Sequence, residues 1–110
     1  MLATPEIDGY ARYSRLLWSE YCARNRCQFY HYPDKLVPDM HVNWSKIEMA
    51  RRHLASSEAD IIALVDADTY VCNPDMSLTG LLGEYPQRQM VFAQDTIRRG
   101  NLEVPLDLVS

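Results

Sequence analysis

Asp66 and Asp68 stand one residue apart, directly after the apolar run Ile61-Ile62-Ala63-Leu64-Val65 and before Thr69-Tyr70-Val71-Cys72-Asn73-Pro74. Two carboxylates at that spacing offer hard oxygen ligands to a divalent cation, whose remaining positions suit phosphate oxygens. A short, uninterrupted β-favouring run reads as a strand buried on both faces, the kind found in parallel sheets. Open α/β sheets bind ligands at the carboxyl ends of their strands, so chemistry is expected just after the run. The plainer reading of the same residues is a solvated turn, with Asp66 or Asp68 capping nearby main-chain N–H groups.

The elements that must position this pair follow from periodicity. Asp8 is placed to cap a helix from about Gly9 to Asn25, with Tyr10, Tyr13, Leu17 and Tyr21 on one stripe that packs against a sheet. Cys27 to Tyr32 alternates, is rich in aromatics and reads as a strand stopped by Pro33. Asn43 caps a second helix from Trp44 to Ala55, with Ile47, Ala50 and Leu54 inward and Arg51 and Arg52 outward. Ser77 opens a short helix carrying Leu78, Leu81, Leu82 and Tyr85, which Pro86 ends. Met90-Val91-Phe92-Ala93 reads as a further strand closing on Gln94-Asp95, and residues 96–110 as an irregular tail. The alternation of helix and strand predicts an α/β fold with a mostly parallel sheet.

Size and charge narrow the classes. With 110 residues, 47% hydrophobic and 24% charged, the chain reads as one soluble globular domain or part of one. A net charge of −4, with no basic tract beyond Arg51-Arg52 and Arg98-Arg99, argues against a nucleic-acid partner. No run is long enough for a membrane span, and Met1-Leu2-Ala3-Thr4-Pro5 lacks the basic and apolar regions of a signal peptide. Three cysteines (Cys22, Cys27 and Cys72) cannot all pair within the chain, which favours reduced thiols and a cytoplasmic setting. His31, His41 and His53 are scattered and match no zinc spacing.

Three chemistries compete for the carboxylate pair. A calcium loop starting at Asp66 fails, because Val71 stands where glycine is needed and Ser77 where a bidentate glutamate belongs. An aspartyl-phosphate mechanism of the haloacid-dehalogenase type would use Asp66 as nucleophile and Asp68 as acid/base. That motif continues with glycine before threonine, whereas here Thr69 follows at once.

The third chemistry rests on a resemblance. Trp44-x-Lys46 at a helix start, an apolar strand, Asp66-Ala67-Asp68, and then Asn73-Pro74 before a leucine-rich helix resemble the GT-A-fold glycosyltransferases. The likeness is nearest to the galactosyl/mannosyltransferase group, and it implies a Rossmann-like, three-layer α/β arrangement with a mostly parallel sheet. Tyr21-Cys22 late in the first helix and Met90 to Asp95, a strand ending in an acid, fit the same pattern, which covers most of Tyr10 to Asp95. The resemblance implies that Asp66 and Asp68 hold Mn²⁺ or Mg²⁺ against the diphosphate of a nucleotide-diphosphate sugar. It implies that Lys46 adds positive charge near the donor and that Asp95 faces the sugar or acceptor. It further implies hexose transfer with retention to a glycan or other acceptor.

In that family a strand precedes the position of Leu2 and an Asn-x-Gly segment follows that of Asp95. Residues 1–110 are therefore expected to be a partial nucleotide-sugar-binding domain. The competing reading is a non-catalytic α/β remnant that self-associates through unpaired sheet edges as a homo-oligomer.

Overall fold

The computed structural model describes residues 1–56 and 58–93, and the main chain of residues 96–99 and 102–105. It divides into two compact units, Met1–Thr79 and Gly80–Ser110.

The first unit is built on two helices. A 3₁₀ turn at Pro5–Ile7 leads directly into α1, Asp8–Arg24. Asp8 is the first helical residue rather than a side-chain cap, and its carboxylate pairs with Arg15. The helix ends in a left-handed turn: Arg26 has φ 57°, and Cys27 N–H donates to the Cys22 carbonyl at 2.9 Å. That closure satisfies a carbonyl the last turn would otherwise leave open.

The second helix, α2, spans Trp44–Ser56. Asn43 contributes its main-chain carbonyl, which accepts from Lys46 N–H at 3.1 Å. The Ser45 hydroxyl, fully buried, accepts from Leu36 N–H at 2.9 Å and so ties the Pro-rich loop to the helix start. A third short helix, α3, covers Leu78–Leu82.

The inward faces match the expected stripes only in part: Tyr21 is buried and Leu17 and Ala50 are half-buried, but the other expected positions are not. On α1 the buried positions are Ala11, Ser14, Tyr21 and Cys22, while Tyr10 and Tyr13 are exposed. On α2 they are Ser45 and Met49, while Ile47 and Leu54 face solvent, Leu54 at 73% exposure. Where the helices meet main chain the buried residue is small and polar: Ser14 bonds the Thr69 carbonyl and Ser45 the Leu36 N–H. Arg51 and Arg52 do face outward, and both pair with Glu48.

The parallel-sheet α/β expectation is overturned. Among the described residues the fold is helical, and regular strand pairing is confined to one hairpin in the second unit. There β1, Thr96–Arg99, runs antiparallel to β2, Leu102–Pro105, with Thr96 opposite Pro105 and Arg99 opposite Leu102. That hairpin forms in the stretch read as an irregular tail.

Cys27–Tyr32 makes a single parallel bridge, Leu2 to Tyr32, and Met90–Ala93 is not in a strand. Ile61–Val65 has strand-forming side chains, yet no hydrogen bond joins its main chain to another described residue. Pairing, not side-chain type, makes a strand, and an unpartnered run does not become one. The small core of the first unit instead gathers Met1, Ala3, Ala11 and Ala67, with Ile7, Trp18, Phe29 and Val65 against it.

Candidate functional site

The carboxylate pair sits on a tight turn. Thr69 closes it twice, its N–H donating to the Asp66 carbonyl at 3.2 Å and its hydroxyl to the same oxygen at 2.6 Å. Ala67 lies buried in the core cluster, so its methyl group is the anchor of the turn. Its two neighbours, Asp66 and Asp68, are both exposed. One small residue between two acids thus pins the turn and leaves both carboxylates in solvent.

One face of α1 holds this turn and the loop beyond it. The Ser14 hydroxyl donates to the Thr69 carbonyl at 2.5 Å, and Trp18 Nε1 donates to Thr69 Oγ1 at 3.0 Å. A turn further on, the Tyr21 hydroxyl donates to the Met76 carbonyl at 2.7 Å and accepts from Leu78 N–H at 2.9 Å. Arg24 pairs with Asp75 at 2.8 Å, and Asn25 Nδ2 donates to the Pro74 carbonyl at 3.0 Å. Spacings of three and four along the helix put all these groups in one row. The loop is therefore fixed at both ends by a single helix.

Lys46 comes from the first turn of α2 and forms an ion pair with Asp66 Oδ1. The lysine and the carboxylate are partly exposed, at 35% and 57%. Asp68 makes no hydrogen bond or ion pair with a described residue. The structure thus brings Lys46 to Asp66, while Asp68 shares the turn by sequence and pairs with neither. Asp95, the acid expected to face the sugar, lies outside the described residues. Trp44, at the start of α2, is exposed rather than packed.

No group of three or more His, Cys, Asp and Glu side chains that could hold a metal ion exists among the described residues. Asp66 and Asp68 can give a cation two carboxylate contacts and no more. That count fits Mg²⁺ or Mn²⁺ chemistry, in which one or two carboxylates act with phosphate oxygens and water, and does not fit an all-protein calcium cage. The Lys46 ammonium occupies Asp66 Oδ1, so a cation at that carboxylate meets a like charge beside it.

Ser14 and Trp18 lie off the stripe of Tyr10, Tyr13, Leu17 and Tyr21, and Ser14 is small and polar. The signal they do carry is their spacing: Ala11, Ser14, Trp18 and Tyr21 repeat at three, four and three. No helix among the described residues is long and apolar enough to cross a membrane. Comparison of the chain with protein-family models, with curated proteins and with solved structures finds no match.

Proposed function

We propose that the Asp66–Asp68 turn is the metal–diphosphate site of a glycosyltransferase acting on a nucleotide-diphosphate sugar. The observation that carries this reading is the pairing of two exposed carboxylates on a helix-clamped turn with a mobile-chain ammonium, Lys46, beside one of them. The proposal rests on this local chemistry and on the order of motifs in the sequence, not on a sheet.

In this reading Asp66 and Asp68 bind the cation, Mn²⁺ or Mg²⁺, and the donor diphosphate supplies further oxygens. The cation's contribution is to neutralise charge on the departing nucleoside diphosphate. Lys46, released from Asp66, turns to a phosphate oxygen and keeps that charge balanced. Ser14 and Trp18 hold Thr69 and so fix the turn that carries the two carboxylates, the kind of positional control that group transfer requires. A hexose is the transferred group and a glycan or other nucleophile the acceptor, both assigned on the motif resemblance.

Calorimetric titration of Mn²⁺ with UDP or GDP into the intact chain tests the proposal. Metal-dependent nucleotide binding that is lost in Asp66→Ala and in Asp68→Ala supports it. Circular dichroism on each variant confirms that the helices persist. Absence of binding by the folded chain, with both variants behaving like it, overturns the assignment.

A further inference from the structure

The first unit contains a cleft of about 670 Å³ whose walls are two stretches of extended-type sequence. One wall is Gln28–Tyr30; the other is the whole of Ile61–Val65. Trp18, Met49 and His53 line its floor. Both walls carry open main-chain groups.

On the first wall, Met1 sits in a short parallel ladder: its amino group donates to the Tyr30 carbonyl at 2.9 Å, and its carbonyl accepts from Tyr32 N–H at 2.9 Å. The ladder stops there, and the main chain of Gln28 and Phe29 makes no hydrogen bond to a described residue. On the second wall, none of the five residues Ile61–Val65 pairs through its main chain with a described residue. Ile61 and Leu64 are exposed there. An apolar slot edged by unpaired N–H and C=O groups has the chemistry of a strand acceptor.

The chain also carries a segment with the complementary chemistry. Met90-Val91-Phe92-Ala93, in the second unit, is apolar and β-favouring, belongs to no strand and is exposed, Phe92 at 79%. Its main chain makes no hydrogen bond to a described residue. Four such residues span about 13 Å when extended, close to the reach of the Ile61–Val65 wall.

We propose that the chain forms a two-fold dimer in which residues 90–93 of each copy enter the cleft of the other and pair with Ile61–Val65. Each copy supplies one strand and one acceptor, so the exchange is reciprocal and closes at two. Main-chain hydrogen bonds supply the affinity, and the alternate side chains of Met90–Ala93 fill the apolar slot. The inference does not depend on the metal–diphosphate reading, because it uses neither carboxylate.

Sedimentation velocity over a concentration series, with amide hydrogen exchange on the same samples, tests it. The expected result is a monomer–dimer equilibrium in which Ile61–Val65 and Met90–Ala93 gain protection together as the dimer forms. Val91→Pro removes an N–H from the entering segment, and Phe92→Lys places a charge in the slot. Each is expected to weaken the dimer by about tenfold or more. Both changes lie outside α1 and α2, so an unchanged helical dichroism spectrum verifies the fold. A chain that stays monomeric overturns the proposal, whether Ile61–Val65 is protected or not. So does a dimer indifferent to both substitutions.

Discussion

The buried hydroxyl of Ser14 donates a hydrogen bond to the carbonyl of Thr69, 55 positions away, at 2.5 Å. Through this bond a helix near the start of the chain sets the position of an acidic turn in its second half. Thr69 itself closes the turn on Asp66, so the link from Ser14 to the carboxylates passes through one residue.

Replacing Ser14 by alanine removes the donor to the Thr69 carbonyl at a part-buried contact, Thr69 itself being exposed. The expected cost is about 0.5–1.5 kcal/mol in denaturant unfolding, the range for the net loss of one hydrogen bond. Ser14→Val costs more, since extra methyl groups there press on main chain. If the proposed site is correct, Mn²⁺ affinity falls in Ser14→Ala under conditions where the protein remains folded. Unchanged unfolding in Ser14→Ala would show that the contact has no energetic weight.

Lys46 competes with a cation for Asp66, and this separates binding of metal from binding of metal with nucleotide. An ion pair this exposed contributes about 0.2–1 kcal/mol. Lys46→Met is accordingly expected to tighten Mn²⁺ alone by about two- to fivefold. In the presence of UDP the same variant binds more weakly, because the ammonium that meets phosphate is gone. A Lys46→Met variant that weakens Mn²⁺ alone would contradict the competition.

Glu48 receives hydrogen bonds from Arg51 and Arg52 that pull its carboxyl down to about 2 from the ordinary 4.5. Between those two values the unfolded chain binds a proton that the folded chain does not, so stability rises with pH across the window. The contribution is complete above pH 4.5 and disappears as pH falls through about 2. Thermal melts of Glu48→Gln and the parent chain should differ at neutral pH and converge toward pH 2. Added salt should narrow the neutral-pH difference, since the arginines are exposed.

Thiol reactivity should divide the three cysteines. Cys27 and Cys72 are exposed and Cys22 is buried. Loss of hydration, and then the neighbouring Cys27, push the Cys22 thiol above its ordinary range. A disulfide reagent at neutral pH should modify Cys27 and Cys72 quickly and Cys22 only once denaturant is added. Cys27→Ser should speed the reaction of Cys22, because it removes a repelling neighbour. Equal rates for all three would refute this order.

The two long helices were legible because each carries clear periodicity and a stop: α1 and α2 fall within a residue or so of the expected bounds. Which face turns inward was legible only in part: Tyr21 is buried as expected. Tyr10, Tyr13, Ile47 and Leu54 have the bulk that marks a core position, yet they lie in solvent, while Ala11, Ser14 and Ser45 are buried. Those small residues sit where helices meet main chain, a requirement that hydrophobicity does not report. The sheet failed for a different reason: strand propensity in Ile61–Val65 is local, whereas pairing depends on a partner elsewhere. At the site, the exposed turn at Asp66–Asp68 matches the plainer reading of a solvated turn rather than a strand end, and Lys46 was readable only as a helix-start cation. That Lys46 meets Asp66 is a tertiary fact that spacing does not encode.

The anchoring of the loop along α1 also divides it into parts with different freedom to vary. Thr69 is held by Ser14 and Trp18, and Pro74, Asp75 and Met76 are held by Asn25, Arg24 and Tyr21. Between these fixed ends, no main-chain hydrogen bond ties Tyr70–Cys72 to another described element. Substitutions in those residues remove none of the bonds that hold Thr69 or Pro74–Met76 to α1. Tyr70–Cys72 is therefore a span bridging two separately moored points.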